Sequence, residues 1–532
     1  MAGPDAVVIG AGPNGLVAAN VLADAGWQVV VLEARTVPGG AVRSDRGLDP
    51  AYVHDLFSAF YPLAVASPVI EQLHLEEFGL RWSRAPATVA HPLTDGRCAV
   101  LAAEPEATAA SLERFAPGDG DAWLRLCRLW QRIGGDLLEC LFTPFPPARA
   151  GGKLAVRLGW SEGLRVARTM LLPARRLGEE EFAGAGGRLL IAGNALHADL
   201  APESALGGGF GWLMCMLGQT YGFPVPRGGA QALTDALVRR FTARGGVLQC
   251  GQEVTGVLVR DGRAVAVRTV DGTVVAARRA VLAAMPAPVL YERLLPPEAL
   301  PDRLRSDLRR FQWDFSTVKV DWALSRPVPW AVEGPRTAGT VHLADGVDEL
   351  TLLAAQIAMH QVPSTPFTVF GQMTTADASR SPEGTESAWA YTHVPQDIAG
   401  DAGGDGITGR WDEREKEAIA ARIEAQVERY APGFTATVRA RRVLAPPDLE
   451  RLNPALVGGA VNQGTTNLHQ QLFFRPFPGT GRPSTPIAGL YLASAAAHPG
   501  GGVHGAPGAN AARTVLSAHR PLRRLRRPRR SR

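Results

Sequence analysis

Residues 5–33 read DAVVIGAGPNGLVAANVLADAGWQVVVLE, a stretch whose glycines and single acid are spaced for holding a diphosphate. Gly10, Gly12 and Gly15 fall in the G-x-G-x-x-G spacing. Gly10 permits a tight turn, Gly12 lets the backbone approach an anion with no side chain in the way, and Gly15 with Ala19 lets a helix sit close on a strand. Pro13 and Asn14 open that helix, whose unpaired N–H groups and partial positive charge favour a pyrophosphate. The apolar run after the helix ends in Glu33, followed by Ala34. A carboxylate there accepts the protons of an unphosphorylated adenosine ribose, which selects FAD or NAD over NADP.

The next residues, EARTVPGGAVRS, supply Gly39, Gly40 and Arg43. They resemble the R-x-G-G-R-x-x-[ST] element of a flavoprotein group that includes glutathione-reductase-like enzymes, amine oxidases and carotenoid desaturases. The resemblance implies FAD, with the glycine pair continuing along the cofactor and Arg43 reaching its phosphate or ring.

A second glycine cluster lies near the other end, AAHPGGGVHGAPG at 496–508. Gly500, Gly502 and Gly505 repeat the fingerprint spacing, but no strand with a terminal acid follows, which excludes a second dinucleotide site. The cluster reads instead as the distant half of the first site. Gly500, Gly501, Gly502 and Val503 would bring backbone N–H groups and a helix N-terminus to the edge of the flavin ring. His498 and His504 flank that loop, where each would serve as acid or base or merely hydrogen-bond to backbone or cofactor. Arg475, in QQLFFRP, has the same two readings: catalytic, or bonded to a loop carbonyl.

These residues require elements to bring them together. The stretch 222–246 is a loop and an amphipathic helix stopped by Gly245-Gly246. Beyond it, apolar runs alternate with Asp261-Gly262 and Asp271-Gly272, strong hairpin signals. A cofactor domain built from 1–85, 222–300 and 485–520 is expected, interleaved with a substrate domain at 86–221 and 301–484. Strands before the first return to the cofactor domain and helices beyond it are expected for that second domain. The fold class is therefore α/β: a Rossmann-type, glutathione-reductase-like FAD-binding domain with an interleaved α+β substrate domain. Ser204–Pro226 carries no charge until its flanks but six glycines, and reads as a buried irregular helix or cavity lining. Trp313, Trp322, Trp330, Trp389 and Trp411 would line an apolar tunnel or fill the core.

Composition bounds the rest. The 532 residues are 46% hydrophobic and 20% charged, as in a folded soluble protein. The net charge of +5 comes from eight arginines in 520–532, which leave a mildly acidic body. The high pI is thus no sign of nucleic acid. The tail at 521–532 is expected to be a disordered, solvated end or an attachment to an anionic membrane surface. Cys98, Cys127, Cys140, Cys215 and Cys250 have no C-x-x-C spacing, which suits a reducing, cytoplasmic setting and argues against a dithiol centre. No H-E-x-x-H or cysteine–histidine spacing marks a metal site. A strand pattern begins almost at the first residue, leaving no targeting peptide. Only three of the 56 basic residues are lysine, a skew typical of a GC-rich bacterial genome. Oligomeric state is not legible.

Beyond the fingerprint, four stretches carry a family likeness: PVPRGGAQALTDAL, SRSPEGTESAWAYTHVP, QQLFFRP and LYLASAAAHPGGGVHGAPG. With them the chain resembles the phytoene desaturase-like FAD oxidoreductases nearly end to end. It is most like the branch named for a pyridine nucleotide-disulfide oxidoreductase domain, a name that unpaired cysteines cannot honour as an activity. The resemblance implies an enzyme that oxidises or reduces carbon–carbon bonds of a small apolar, isoprenoid-like substrate, by hydride transfer at flavin N5. It also implies that the Val254 backbone meets the adenine. Ala493-Ser494-Ala495 departs from the family pattern in lacking an acid, and His504 stands where related loops have a small residue or proline. Two other classes stay open: an amine oxidase on the same scaffold, which would want two aromatic residues facing the flavin, and a non-catalytic regulatory flavoprotein.

Overall fold

The computed structural model describes residues 3–519, so the arginine-rich tail lies outside the described residues. Ala6–Ile9 is apolar at every position and buried on both faces, as a central parallel strand must be. It pairs with Val29–Glu33 on one side and Ala280–Ala283 on the other. Val247–Cys250 and Leu490–Leu492 complete a five-stranded parallel sheet. Ala6 and Val8 face the helix Pro13–Asp24, which packs between helices Gln231–Ala243 and Ala506–Ala518. Val7 and Ile9 face the opposite layer, the meander Val254–Arg260, Arg263–Thr269 and Val274–Ala276. Its first turn is Asp261-Gly262, with φ of 50° and 70°, the left-handed pair that a two-residue hairpin demands.

A second sheet has seven strands in the order Val438–Leu444, Ser316–Leu324, Glu386–Val394, Thr368–Gln372, Ala338–Leu343, Ala87–Pro92, Cys98–Ala102. It is antiparallel except where Ala338–Leu343 meets Ala87–Pro92. One face packs Trp322, Trp330 and Phe370 in a core with the helix Glu413–Glu428. The other face, which carries Lys319, Trp389 and Tyr391, borders the cavity described below.

The expected division of strands and helices is reversed. The stretch 86–221 has two strands of this sheet and then long helices, Asp119–Phe142, Ala148–Leu171, Ala185–Ala195 and Gly207–Tyr221. Five of the seven strands come from beyond residue 300. The glycine-rich end of the stretch, read as a buried irregular helix or cavity lining, is a buried helix. Within Gly207–Tyr221 the glycines are points of contact, because a Cβ on Gly211 would lie 2.2 Å from the Ile191 carbonyl and one on Gly209 would lie 2.6 Å from that of Met170. Helix propensity alone disfavours those residues; close packing overrides it.

Candidate active site

One cavity of about 1080 Å³ runs along the carboxyl ends of the parallel strands and continues between the second sheet and the helices. Its nucleotide end is built as the fingerprint requires. A Cβ on Gly15 would lie 2.1 Å from the Gly10 carbonyl, so only glycine lets the helix start that close to the strand. Gly40 lies against Gly12, where a Cβ would come 3.0 Å from the Gly12 Cα. The Glu33 carboxylate accepts N–H groups from Ala11 at 2.7 Å and Arg35 at 2.9 Å, which fixes its orientation and leaves two lone-pair sites. Pro13, Asn14, Ala34 and Val254 share this wall. Arg43 lies there too, donating to the carbonyls of Gly40 and Leu452 and resting over Phe57. Gly39 is not on the wall; its N–H bonds to the Ala11 carbonyl and its φ of 126° turns the loop.

The closing loop meets this end directly. A Cβ on Gly508 would lie 1.9 Å from the Asn14 carbonyl, so the last helix is seated on the start of the first. Gly501, Gly502, Val503 and His504 lie on the cavity wall, and Gly500 lies behind them against the Arg475 guanidinium. The His504 Nδ1 accepts the N–H of Ala506 at 3.2 Å, and Ser67 holds the His504 carbonyl at 2.7 Å. Burial brings His504 down to about 4, so the ring is neutral near pH 7. His498 is off the wall, packed 5.5 Å from the Phe145 ring with its nitrogens toward the backbone of Thr143 and Leu141 but outside hydrogen-bond geometry. Burial brings it, too, to about 4.

Arg475 is likewise off the wall. Its guanidinium donates to the carbonyls of Ala495, Thr465, Asn462 and Gly464. The same loop is held from the other side by Asp314, whose carboxylate accepts N–H groups from Val461, Asn462 and Gly464. Arg475 therefore positions the loop 461–466, part of which faces the cavity.

Thr317, Lys319 and Tyr391 escaped the sequence reading. Thr317 and Lys319 share one face of Ser316–Leu324, and Tyr391 shares one face of Glu386–Val394 with Trp389. Lys319 is ion-paired with Asp321 and donates to the Asp55 carbonyl at 3.0 Å. The available signal was this charged pair at alternate positions in an otherwise uncharged strand. Of the tryptophans named above, Trp389 lines the cavity, while Trp322 and Trp330 fill the core behind the sheet. Helix Gly207–Tyr221 is regular and buried, and Phe210, Leu213 and Met214 from it line the cavity's far part.

Over residues 14–516 the sequence matches the flavin-containing amine oxidoreductases. The chain belongs to that family. Its cofactor is accordingly FAD. The residues present fit the group: Glu33 has free lone pairs, Gly12 and Gly40 leave a side-chain-free approach, and Asn14 Oδ1 is buried with no partner among the described residues. When bound, FAD supplies acceptance or donation of hydride, and Gly501 to His504 border the cavity region available to its ring.

Family membership spans several chemistries. Pyridine nucleotide-disulfide oxidoreductase domain-containing protein 2 of Mus musculus is 29% identical over 96% of this chain and 93% of its own length. A neurosporene-forming phytoene desaturase of Rhodobacter capsulatus is 25% identical over 94% of this chain and 91% of its own. A putrescine oxidase double mutant shares the fold, with a TM-score of 0.62 at 17% identity over 97% of this chain and 98% of its own. A mouse relative at this level gives no support to the bacterial source read from composition.

Proposed function

We propose that this flavoprotein oxidises or reduces carbon–carbon bonds of a lipophilic, isoprenoid-like substrate. The observation that carries this reading is the chemistry of the cavity wall. Its acids are Glu33 and Glu253, both beside the nucleotide end, and most of the far part is formed by apolar groups such as Leu141, Met170, Leu206, Phe210, Leu213 and Met214. A largely apolar molecule is desolvated against these groups at little polar cost, whereas an ammonium ion would meet no carboxylate. Hydride chemistry needs no side-chain nucleophile; the walls hold the reacting carbon and exclude water. The phytoene desaturase relative supports the same reading.

One observation favours the amine oxidase alternative: Trp389 and Tyr391 are nearly parallel on the wall, 11° between planes. Their centroids are 5.9 Å apart, less than the about 7 Å that two van der Waals contacts on an intervening amine require. Anaerobic mixing of the yellow holoprotein with an acyclic polyene and with a primary amine decides. Bleaching by the polyene is expected. Bleaching by the amine alone would replace this reading, and no bleaching by either favours a non-catalytic flavoprotein.

A lipid surface is the proposed source of substrate. Membrane contact through the arginine-rich tail falls on residues outside those described, but another surface supports the idea. In Ala148–Leu171, Val156 before the break at Gly159 and Trp160 and Leu164, one turn apart after it, are 87%, 84% and 54% exposed. Leu171 of the same helix is half exposed and also lines the cavity. Arg149, Lys153, Arg165 and Arg168 are exposed around the stripe, as on helices that lie in an anionic interface. Among the described residues no helix is long and apolar enough to cross a membrane.

A further inference from the structure

We infer that the cavity selects an apolar molecule bearing an oxygen atom over the corresponding hydrocarbon, through an N–H presented by His197. The inference rests on the cavity being a site for an apolar substrate and names a feature that substrate must carry. His197 follows the helix Ala185–Ala195 and forms part of the cavity wall, its ring edge-on to Phe223. Behind it, His342 stands one residue from the end of the strand Ala338–Leu343, fully buried. The two rings meet Nε2 to Nε2 at 2.7 Å. One proton lies between these nitrogens, so one ring donates and the other accepts.

The far nitrogen of His342 decides which. Its Nδ1 is buried with no partner among the described residues, and the helix backbone lies so close that a Cβ on Gly193 would be 2.6 Å from it. A buried N–H with no acceptor is rarer and costlier than an uncovered lone pair. Nδ1 of His342 is therefore bare, its Nε2 carries the proton, and His197 receives it at Nε2. The proton of His197 is left on Nδ1. Burial keeps both rings neutral near pH 7, which preserves this single-proton arrangement. His197 Nδ1 has no partner among the described residues, yet it is not enclosed as that of His342 is, and its residue borders the cavity.

A second group points the same way. Thr340 lies two residues before His342 on the same strand face, lines the cavity, and has a buried hydroxyl with no partner among the described residues. Around these two polar groups the wall is apolar, formed by Leu200, Phe210, Met214 and Val369. A hydroxyl, ether or carbonyl oxygen satisfies the N–H. A hydrocarbon leaves it unmet, and an ammonium offers it no lone pair.

The test uses the holoprotein and three probes with one C20 isoprenoid skeleton: the terminal alcohol, its methyl ether and the hydrocarbon. Binding is read from quenching of tryptophan fluorescence, independently of turnover. The alcohol and ether are expected to bind at least about tenfold more tightly than the hydrocarbon. In His197→Phe the difference should shrink below about threefold, and His197→Gln, which keeps an N–H, should retain the preference. Retained FAD absorbance reports that each variant is folded; if His197→Phe loses FAD, the three-probe comparison in the unaltered protein still decides. Equal affinity for all three probes, or a preference that survives His197→Phe, overturns the inference and leaves the apolar-substrate reading standing. Failure of all three to bind removes both.

Discussion

His504 and His498 bracket one loop and have different surroundings. His504 is tied by its ring to the first N–H of the closing helix and faces the cavity, whereas His498 packs on Phe145 behind it. With both rings brought to about 4 by burial, neither carries a proton to give near pH 7. His498→Phe and His504→Asn are therefore expected to keep FAD and leave the pH profile of flavin reduction between pH 6 and 8 unmoved. His504→Ala, which deletes the contact to Ala506, should cost on the order of 1 kcal/mol of stability without abolishing turnover. Stopped-flow reduction and thermal melting measure these effects; turnover lost with FAD retained would restore a proton-transfer role. Arg475 shows why sequence left such roles open. A guanidinium that binds four carbonyls and one that binds substrate are the same letter in FFRP, and only the fold selects between them.

Among the elements, the helix Ala148–Leu171 carries the prediction. It is interrupted at Gly159, whose φ of 65° breaks the regular path just before Trp160. Trp160 should shift its fluorescence to the blue when the protein meets vesicles containing anionic phosphatidylglycerol, and the protein should sediment with them. Val156→Ser with Trp160→Ser should reduce sedimentation severalfold while FAD content holds; unchanged sedimentation would assign the contact elsewhere. The element most legible in the sequence was the strand, helix and acid of 5–33, because Gly12 and Gly15 answer neighbours within thirty residues, Gly40 and Gly10. The helical stretch was least legible. Its glycines serve contacts with Met170 and Ile191 that no local pattern reveals, so a regular buried helix read as an irregular one. Lys319 and His197 were missed for a related reason, since the strand face and the turn that point them at one cavity are set by pairings across the sheet.

Among the described residues, six buried histidines and the partly buried His197 set the response to acid. Burial holds His54, His91, His197, His498 and His504 at about 4, and lowers His342 and His393 as well. An unfolded chain takes up these protons near 6.5. Between about 6.5 and 4 the unfolded state thus binds more protons, and stability falls as the pH falls, by on the order of 1 kcal/mol per histidine per pH unit. Asp314 and Glu386, pushed up to about 7 by burial, oppose this between about 4 and 7, but they are two against seven. The melting temperature is expected to drop steeply from pH 6.5 to 5 and to change little from 7 to 8; a flat profile on the acid side would mean that these rings are reached by water.

The contact between Gly508 and the Asn14 carbonyl has a consequence for biosynthesis. The lip of the diphosphate cradle and the helix that backs it lie nearly five hundred residues apart in the chain. A nascent chain must therefore wait until residues 506–518 have been made before its vitamin-derived partner finds a finished seat. Premature stop codons even a short way upstream of 508 should yield protein that is synthesised in quantity and never turns yellow.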